Sequence, residues 1–312
     1  MKSKIIAVAG PTASGKSALA MGLCAALDGE LVSFDSMQVY RKMDIGTAKP
    51  TKSEQETIRH HMIDIMDADR KFSAADFIGA ARQAVDDVIS REKTAVLCGG
   101  TGLYLDSFLV NRDFGELAEN KELREELFAY ADEHGADRLH DMLKDLDPTA
   151  AEKIHKNNVR RVVRAIEICK TSGMTKTEWD KRADSAAPSV DATVIILDFI
   201  DREKLYERID RRVDKMIECG LEEETRYLYS IGALEPSGTA AQAIGYKELL
   251  PYIRGECSLE QAADTLKLAT RHYAKRQQTW FRQKPGHRLF VDEYESESEL
   301  LSAAMKLIGA DI

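Results

Sequence analysis

The 312-residue sequence has no long apolar run, no close cysteine pair and no histidine spacing suited to a metal. Each absence excludes a class. A membrane helix needs roughly 18 or more consecutive apolar residues. The apolar stretch near the N-terminus stops at Gly10-Pro11, so the sequence suggests neither a membrane span nor a secretion signal. The five cysteines (Cys24, Cys98, Cys169, Cys219 and Cys257) are dispersed and odd in number. That pattern excludes a disulfide framework and predicts reduced thiols in a cytoplasmic protein. His60-His61 is the one histidine cluster, with no cysteine or further histidine at a ligand interval, which argues against structural zinc. Repeats and low-complexity segments are also missing. The formal net charge of −9 argues against indiscriminate nucleic-acid binding but leaves room for local basic patches.

What is present begins with Gly10-Pro11-Thr12-Ala13-Ser14-Gly15-Lys16-Ser17, flanked by the apolar run Ile5 to Ala9 and the helix-like run Ala18 to Leu27. This is the P-loop pattern in the strand-then-helix context that it requires. The glycines let successive N–H groups turn toward one anion, and the helix adds its positive end. Lys16 adds a mobile charge, and the Ser17 hydroxyl can ligate Mg²⁺. The motif holds a polyphosphate without saying what is done with it.

Four β-rich runs, Lys4–Ala9, Glu30–Phe34, Thr94–Cys98 and Thr193–Phe199, alternate with helical periodicity and predict an α/β core with a parallel sheet. Ser73 and Asp76 form a capping-box pattern opening a helix to about Arg91. From about Phe114 to Pro188 the sequence is rich in Glu, Lys, Arg, Ala and Leu, with Asp147-Pro148 starting one helix and Gly135 and Gly173 punctuating others. The expected fold is therefore a P-loop NTPase-like parallel-sheet core, residues 1–113 plus 189–312, with an inserted all-helical domain at 114–188. Beyond Asp198 the chain is expected to be mainly helical, with loops near Glu235–Thr239 and at Pro285-Gly286.

Asp35 follows the second strand, at the sheet edge where ligands sit in such folds. There it either accepts a proton from a nucleophile or caps a turn. The third strand ends in Gly99-Gly100-Thr101-Gly102, where a nucleotide hydrolase commonly has an acidic magnesium ligand. Thr101 can donate to a phosphate, or the segment is a plain strand–helix turn. Arg208, Arg211 and Arg212 share a helical spacing; local pattern favours ion pairing with Glu207, Asp210 or Asp214 over phosphate contact. Two basic runs, Lys153 to Lys170 and Lys267 to Arg288, the second interleaved with Tyr273, Trp280 and Phe281, suit an RNA or a solvated helix face.

These segments, with Asp35-Ser36-Met37-Gln38-Val39-Tyr40, Met43-Asp44-Ile45-Gly46-Thr47-Ala48-Lys49-Pro50, Gly99–Tyr104, Arg160–Ala165, Ala243–Lys247 and Arg271–Gln277, resemble the tRNA dimethylallyltransferase (tRNA isopentenyltransferase) family. The resemblance covers nearly the whole chain in order. It implies transfer of a dimethylallyl group from dimethylallyl diphosphate to N6 of the adenine just 3′ of the anticodon, in tRNAs reading codons that begin with U. A diphosphate that leaves needs no carboxylate for phosphoryl transfer, which accounts for the glycines after the third strand. The resemblance makes Asp35 the general base. Lys16, Thr101, Arg212 and Mg²⁺ at Ser17 then stabilise the leaving group. It assigns Asp35, Ser36, Met37 and Gln38 to the flipped adenine, and Thr101, Arg124, Arg160, Arg161, Val162, Val163 and Arg164 to tRNA contacts. Gln242 to Lys247 form a further tRNA-facing stretch, although it has no arginine where some relatives have one. The helical insertion would clamp the tRNA. A monomer of bacterial type, without the zinc finger of some eukaryotic relatives, is expected. The competing readings are a small-molecule kinase, which predicts ATP turnover and indifference to tRNA, and a non-catalytic RNA-binding module.

Overall fold

The computed structural model describes residues 5–110, 120–184, 190–235 and 238–309. The chain divides into two compact units, Met1–Leu109 with Val190–Ile312, and Val110–Ser189. The first begins β1 (Ile5–Ala9), α1 (Lys16–Ala26), β2 (Gly29–Ser33), α2 (Lys52–Thr57), β3 (His60–His61), α3 (Ala74–Ser90), β4 (Thr94–Gly99) and α4 (Gly102–Leu109). The second unit holds α5 (Lys121–His134), α6 (Ala136–Leu146), α7 (Pro148–Lys153), α8 (Val159–Ser172) and α9 (Lys176–Asp184). The first unit resumes with β5 (Ala192–Asp198), α10 (Arg202–Glu218), α11 (Leu221–Ser230), α12 (Tyr246–Ile253), α13 (Leu259–Arg282), β6 (His287–Phe290) and α14 (Glu297–Leu307).

The strands form one parallel sheet in the order β3-β2-β4-β1-β5-β6. Every residue of β1 and β2 is buried, as expected for strands covered on both faces. On one face α1 and α14 bring Leu19, Leu23, Leu300 and Met305 onto Ile6, Val8, Val96 and Leu197. On the other, Phe34 meets Phe77 of α3 and Phe108 of α4 edge-to-face, each at 5.2 Å between ring centroids. Such geometry presents positive ring edges to negative faces. Pairing of Ala9 with Gly99 and of Ser33 with Cys98 brings three strand ends level. The P-loop, Asp35 and Thr101 thus emerge along one sheet edge.

The parallel sheet and its alternating helices match the fold expected from the sequence. The capping box is formed: Asp76 N–H donates to Ser73 Oγ at 3.2 Å, and Ser73 N–H donates to Asp76 Oδ2 at 3.0 Å. Two strands were not anticipated. β3 has two residues, too few for any alternation, and β6 begins inside the basic run that ends at Arg288. Lys4 and residues 236–237 of the expected polar loop lie outside the described residues.

In the helical unit, Asp147 caps α7 by accepting Ala150 N–H at 2.9 Å, with Pro148 in the first turn where its missing N–H does no harm. Leu127, Leu139, Leu143, Val162, Val163 and Ile166 form its apolar core. This corrects the expectation for Val162 and Val163. Their side chains are 0% and 1% exposed, so they hold α8 in its unit and offer no surface to RNA. The adjacent Arg160 and Arg161 remain exposed.

Candidate active site at the carboxyl edge of the sheet

The P-loop turns through left-handed backbone at Ala13 (φ 61°) and Gly15 (φ 85°) before entering α1. Gly15 is the N-cap and supplies no side-chain bond, so the first N–H groups of α1 have no capping side chain. Those donors and the helix dipole together suit an anion. Lys16 Nζ donates to Pro11 O at 3.1 Å. Burial pushes the Lys16 ammonium pKa down, Cys98 opposes that shift, Arg212 reinforces it and Asp35 opposes it. A buried cation of this kind gains most from a phosphate partner. Ser17 is exposed beside it.

Asp35 Oδ1 accepts Met37 N–H at 2.9 Å and Gln38 N–H at 3.4 Å. The two readings of Asp35 are therefore compatible: one oxygen caps the turn, and no described residue hydrogen-bonds the other. Ser36 N–H donates to Thr101 Oγ1 at 3.3 Å, tying the end of β2 to that of β4. Gln38, half-buried in the wall of the polar cavity, accepts from Ser33 Oγ at 2.8 Å and donates to the carbonyls of Thr47 and Ala48 at 3.2 and 3.3 Å.

Gln277 of α13 does what no local pattern announced. Its Oε1 accepts Thr12 N–H at 2.8 Å and its Nε2 donates to Gly100 O at 2.9 Å, stapling the P-loop to the glycine segment. A Cβ on Gly100 would fall 2.1 Å from Gln277 Nε2, so a side chain there would push this amide out of its bonded position. Tyr273, one turn earlier on α13, hydrogen-bonds Thr101, and burial pushes its phenol pKa well up.

The three clustered arginines separate. Arg208 Nε donates to Ala13 O at 2.9 Å, bracing the P-loop. Arg211 is exposed and bonds Glu207 O at 3.3 Å. Arg212 lines the site, its guanidinium pKa lowered by burial and raised by Asp35. The nearby acids serve other cations: Asp210 pairs with Arg271, and Asp214 with Lys267 at 2.6 Å. Lys284 and Arg288 likewise pair with Asp106 and Asp198, so much of the second basic run is neutralised by the fold.

Two adjoining cavities result. The polar one includes Lys16, Ser17, Cys98 and Gln277 in its lining. The other is apolar, about 190 Å³, with Met37, Val213, Met216, Ile244 and Leu266 in its wall. Thr12, Asp35, Thr47, Arg212 and Tyr273 line both and mark the junction. Ser36 and Gln242 border the apolar cavity, whereas Lys247 lies exposed beside Glu248 at 3.5 Å.

The helical unit carries the remaining candidates. Glu167, wholly buried, accepts from Arg124 Nε at 3.0 Å, Arg164 Nη1 at 2.6 Å and Asn120 N–H at 2.9 Å. Arg124 and Arg164 thus have a structural partner inside their own unit.

The IPP transferase family profile matches residues 38–284. A tRNA dimethylallyltransferase of a Thermoanaerobacter species is 41% identical over 314 residues, covering 100% of this chain and 99% of that protein. One from Halalkalibacterium halodurans is 46% identical over 284 residues, covering 91% and 90%. The crystal structure of the full-length tRNA isopentenylpyrophosphate transferase of Bacillus halodurans superposes with a TM-score of 0.71 at 40% identity, covering 99% of this chain and 97% of that one. A eukaryotic dimethylallyltransferase acting on tRNA gives a TM-score of 0.79 at 27% identity, covering 99% and 80%. With identities of this size across its full length, the chain belongs to the IPP transferase family.

Proposed function

We propose that this enzyme transfers the dimethylallyl group of dimethylallyl diphosphate to N6 of the adenosine 3′-adjacent to the anticodon in tRNAs reading codons that begin with U. The observation that carries the reading is the meeting of a polyphosphate cradle and an apolar cavity at Asp35. A phosphoryl-transfer enzyme has no evident use for an apolar chamber against its P-loop. A prenyl diphosphate has one end for each.

The allylic carbon–oxygen bond breaks as the N6–carbon bond forms, with diphosphate leaving. The adenine amine is a weak nucleophile because its lone pair is delocalised into the ring, so Asp35 accepts its proton. Lys16, the α1 N-terminus and Arg212 face the charge that grows on the departing oxygens, whereas Thr101 lines neither cavity and acts from behind, bonded to Ser36 N–H. The adenine must leave the anticodon-loop stack to reach Asp35, and Ser36, Met37 and Gln38 form the segment beside it. Among the described residues, no cluster of three or more His, Cys, Asp or Glu side chains could hold a metal. The Ser17 hydroxyl, which lines the polar cavity and hydrogen-bonds Cys98, fits an ion that arrives with diphosphate oxygens, as Mg²⁺ characteristically does. Bound there, Mg²⁺ would neutralise leaving-group charge.

The test is a transfer assay with labelled dimethylallyl diphosphate and an unmodified tRNA anticodon stem-loop, with and without EDTA, and with ATP in parallel. Label on the adenine, lost with EDTA, is the expected result. Phosphorylation of a small acceptor from ATP, with no label on RNA, would replace this reading with a kinase.

The exposed pair Arg160 and Arg161 is assigned to the tRNA backbone. Replacing both with alanine should weaken tRNA binding and reduce its log–log salt slope by about one per lost phosphate contact. Filter binding across a salt series measures this. An unchanged slope would move the RNA path away from α8.

A further inference from the structure

The segment Met43–Pro50 has no role in the mechanism above, yet it forms a wall of the site. Gly46 and Thr47 border the apolar cavity, and Thr47, Ala48 and Pro50 border the polar one. This wall is non-repetitive backbone, with Ala48 at φ 47°, and it needs outside support. The support comes from α11. Glu224 accepts Asp44 N–H at 2.9 Å, Ile45 N–H at 2.9 and 3.0 Å, and Gly46 N–H at 3.0 Å. Three successive N–H groups converge on one carboxylate, an arrangement that ordinarily receives an anion. The Tyr246 hydroxyl donates to the same carboxylate at 2.7 Å. Its ring also packs against Gly46, where a Cβ would come within 2.5 Å. Lys49 closes the far end, its side chain 2% exposed, donating to Tyr40 O at 2.8 Å, Asp44 Oδ1 at 2.6 Å and Asp64 Oδ1 at 2.7 Å.

We infer that Glu224 is a positioning residue: it lines neither cavity, but through the N–H groups of 44–46 it fixes the wall that sets the fit and length limit for the prenyl chain. The inference rests on the prenyl-transfer reading above. A carboxylate is required because its two oxygens can only accept; an amide would turn an NH₂ donor toward backbone donors. Hydrogen bonds to a charged acceptor are the stronger kind, so a loosened wall is the expected result of removing the charge. A displaced wall loosens the fit around the bound prenyl end, which removes binding shared by ground and transition states, and leaves space for a longer chain.

The experiment compares wild type, Glu224→Gln, Glu224→Asp and Tyr246→Phe with dimethylallyl and geranyl diphosphates at saturating tRNA. Wild-type transfer of dimethylallyl tests the underlying reading independently of the variants. Glu224→Gln should raise KM for dimethylallyl diphosphate about tenfold and shrink the preference over geranyl diphosphate by a similar factor. Its kcat should fall by much less. Glu224→Asp should recover part of both effects, because the charge returns. Tyr246→Phe keeps the ring and removes one bond, so it should move both in the same direction by a smaller factor; it carries the test should Glu224→Gln not fold. Unchanged KM and chain-length preference in a folded variant, with or without a lower Tm, would make Glu224 a purely structural residue and overturn the inference.

Discussion

Asp35→Asn is expected to lower the single-turnover rate of prenyl transfer by about 10²–10⁴-fold, the usual contribution of a positioned base, while tRNA affinity stays within a few-fold. Asparagine is the informative replacement because Asp35 has two jobs. Its Oδ1 accepts the N–H groups of Met37 and Gln38, and an amide oxygen can take over that acceptance. The turn bearing Ser36, Met37 and Gln38 should then survive, and only proton acceptance is lost. Asp35→Ala removes both functions and should bind RNA less well than the asparagine variant. Rapid-quench measurement with labelled prenyl diphosphate separates chemistry from product release. Near-normal turnover in Asp35→Asn would remove this residue as the base and leave it as a turn cap.

The largest effect on stability is expected at Glu167. Its carboxylate is fully buried and receives Arg124, Arg164 and the Asn120 N–H. Glu167→Ala leaves two guanidinium groups partly enclosed without their anion, and removing one partner of a buried pair typically costs about 3–5 kcal/mol. Burial alone would raise the Glu167 pKa; the hydrogen bonds from Arg164, Arg124 and Asn120 outweigh it and hold the carboxyl below its usual range. A carboxyl depressed in the folded state binds fewer protons there than in the unfolded chain. Its contribution is therefore complete above the unfolded pKa of about 4.3 and is lost as pH falls through the lower folded value. Of the two tryptophans, Trp179 lies in α9 and Trp280 in α13, so a Trp280→Phe background lets fluorescence follow the helical unit alone. Urea unfolding in that background should show a lower midpoint for Glu167→Ala at pH 7, with the difference shrinking toward pH 3. An unshifted midpoint would mean that the cluster contributes nothing net.

What was legible in the sequence follows from how local each signal is. The strand–P-loop–helix passage, the capping box at Ser73 and the Asp147-Pro148 helix start are short-range statements, and each took the expected form. The ends of β2 and β4 were legible for the same reason, because a glycine or an aspartate after an apolar run marks a carboxyl edge. Charge was poorly legible. Lys267, Arg271, Lys284 and Arg288 look like an RNA-binding stripe until the fold brings Asp214, Asp210, Asp106 and Asp198 against them. Gln277 and Glu224 were hidden because each is an ordinary polar residue on an amphipathic helix, and their partners lie 265 and about 180 positions away. Val162 and Val163 show the opposite error: a motif covers consecutive residues, while the helical period of 3.6 leaves Arg160 and Arg161 on the solvent side and puts Val162 and Val163 in the core.

The placement of the helical unit bears on how the protein is made. The unit is one unbroken stretch, Val110–Ser189, whereas the core unit needs both chain halves. β1 pairs with β5, whose first residue is Ala192, and Thr12 meets Gln277 across 265 positions. Contacts close in sequence form early, and domains fold as units in the order in which they emerge during synthesis. On the ribosome, the helices that carry Arg160 and Arg161 can therefore fold while β1 still has only β4 beside it. The P-loop gains its Gln277 brace after nearly nine-tenths of the chain has been translated. Completion of the bonds that tie the P-loop to the glycine segment is thus a late event in the life of the nascent chain.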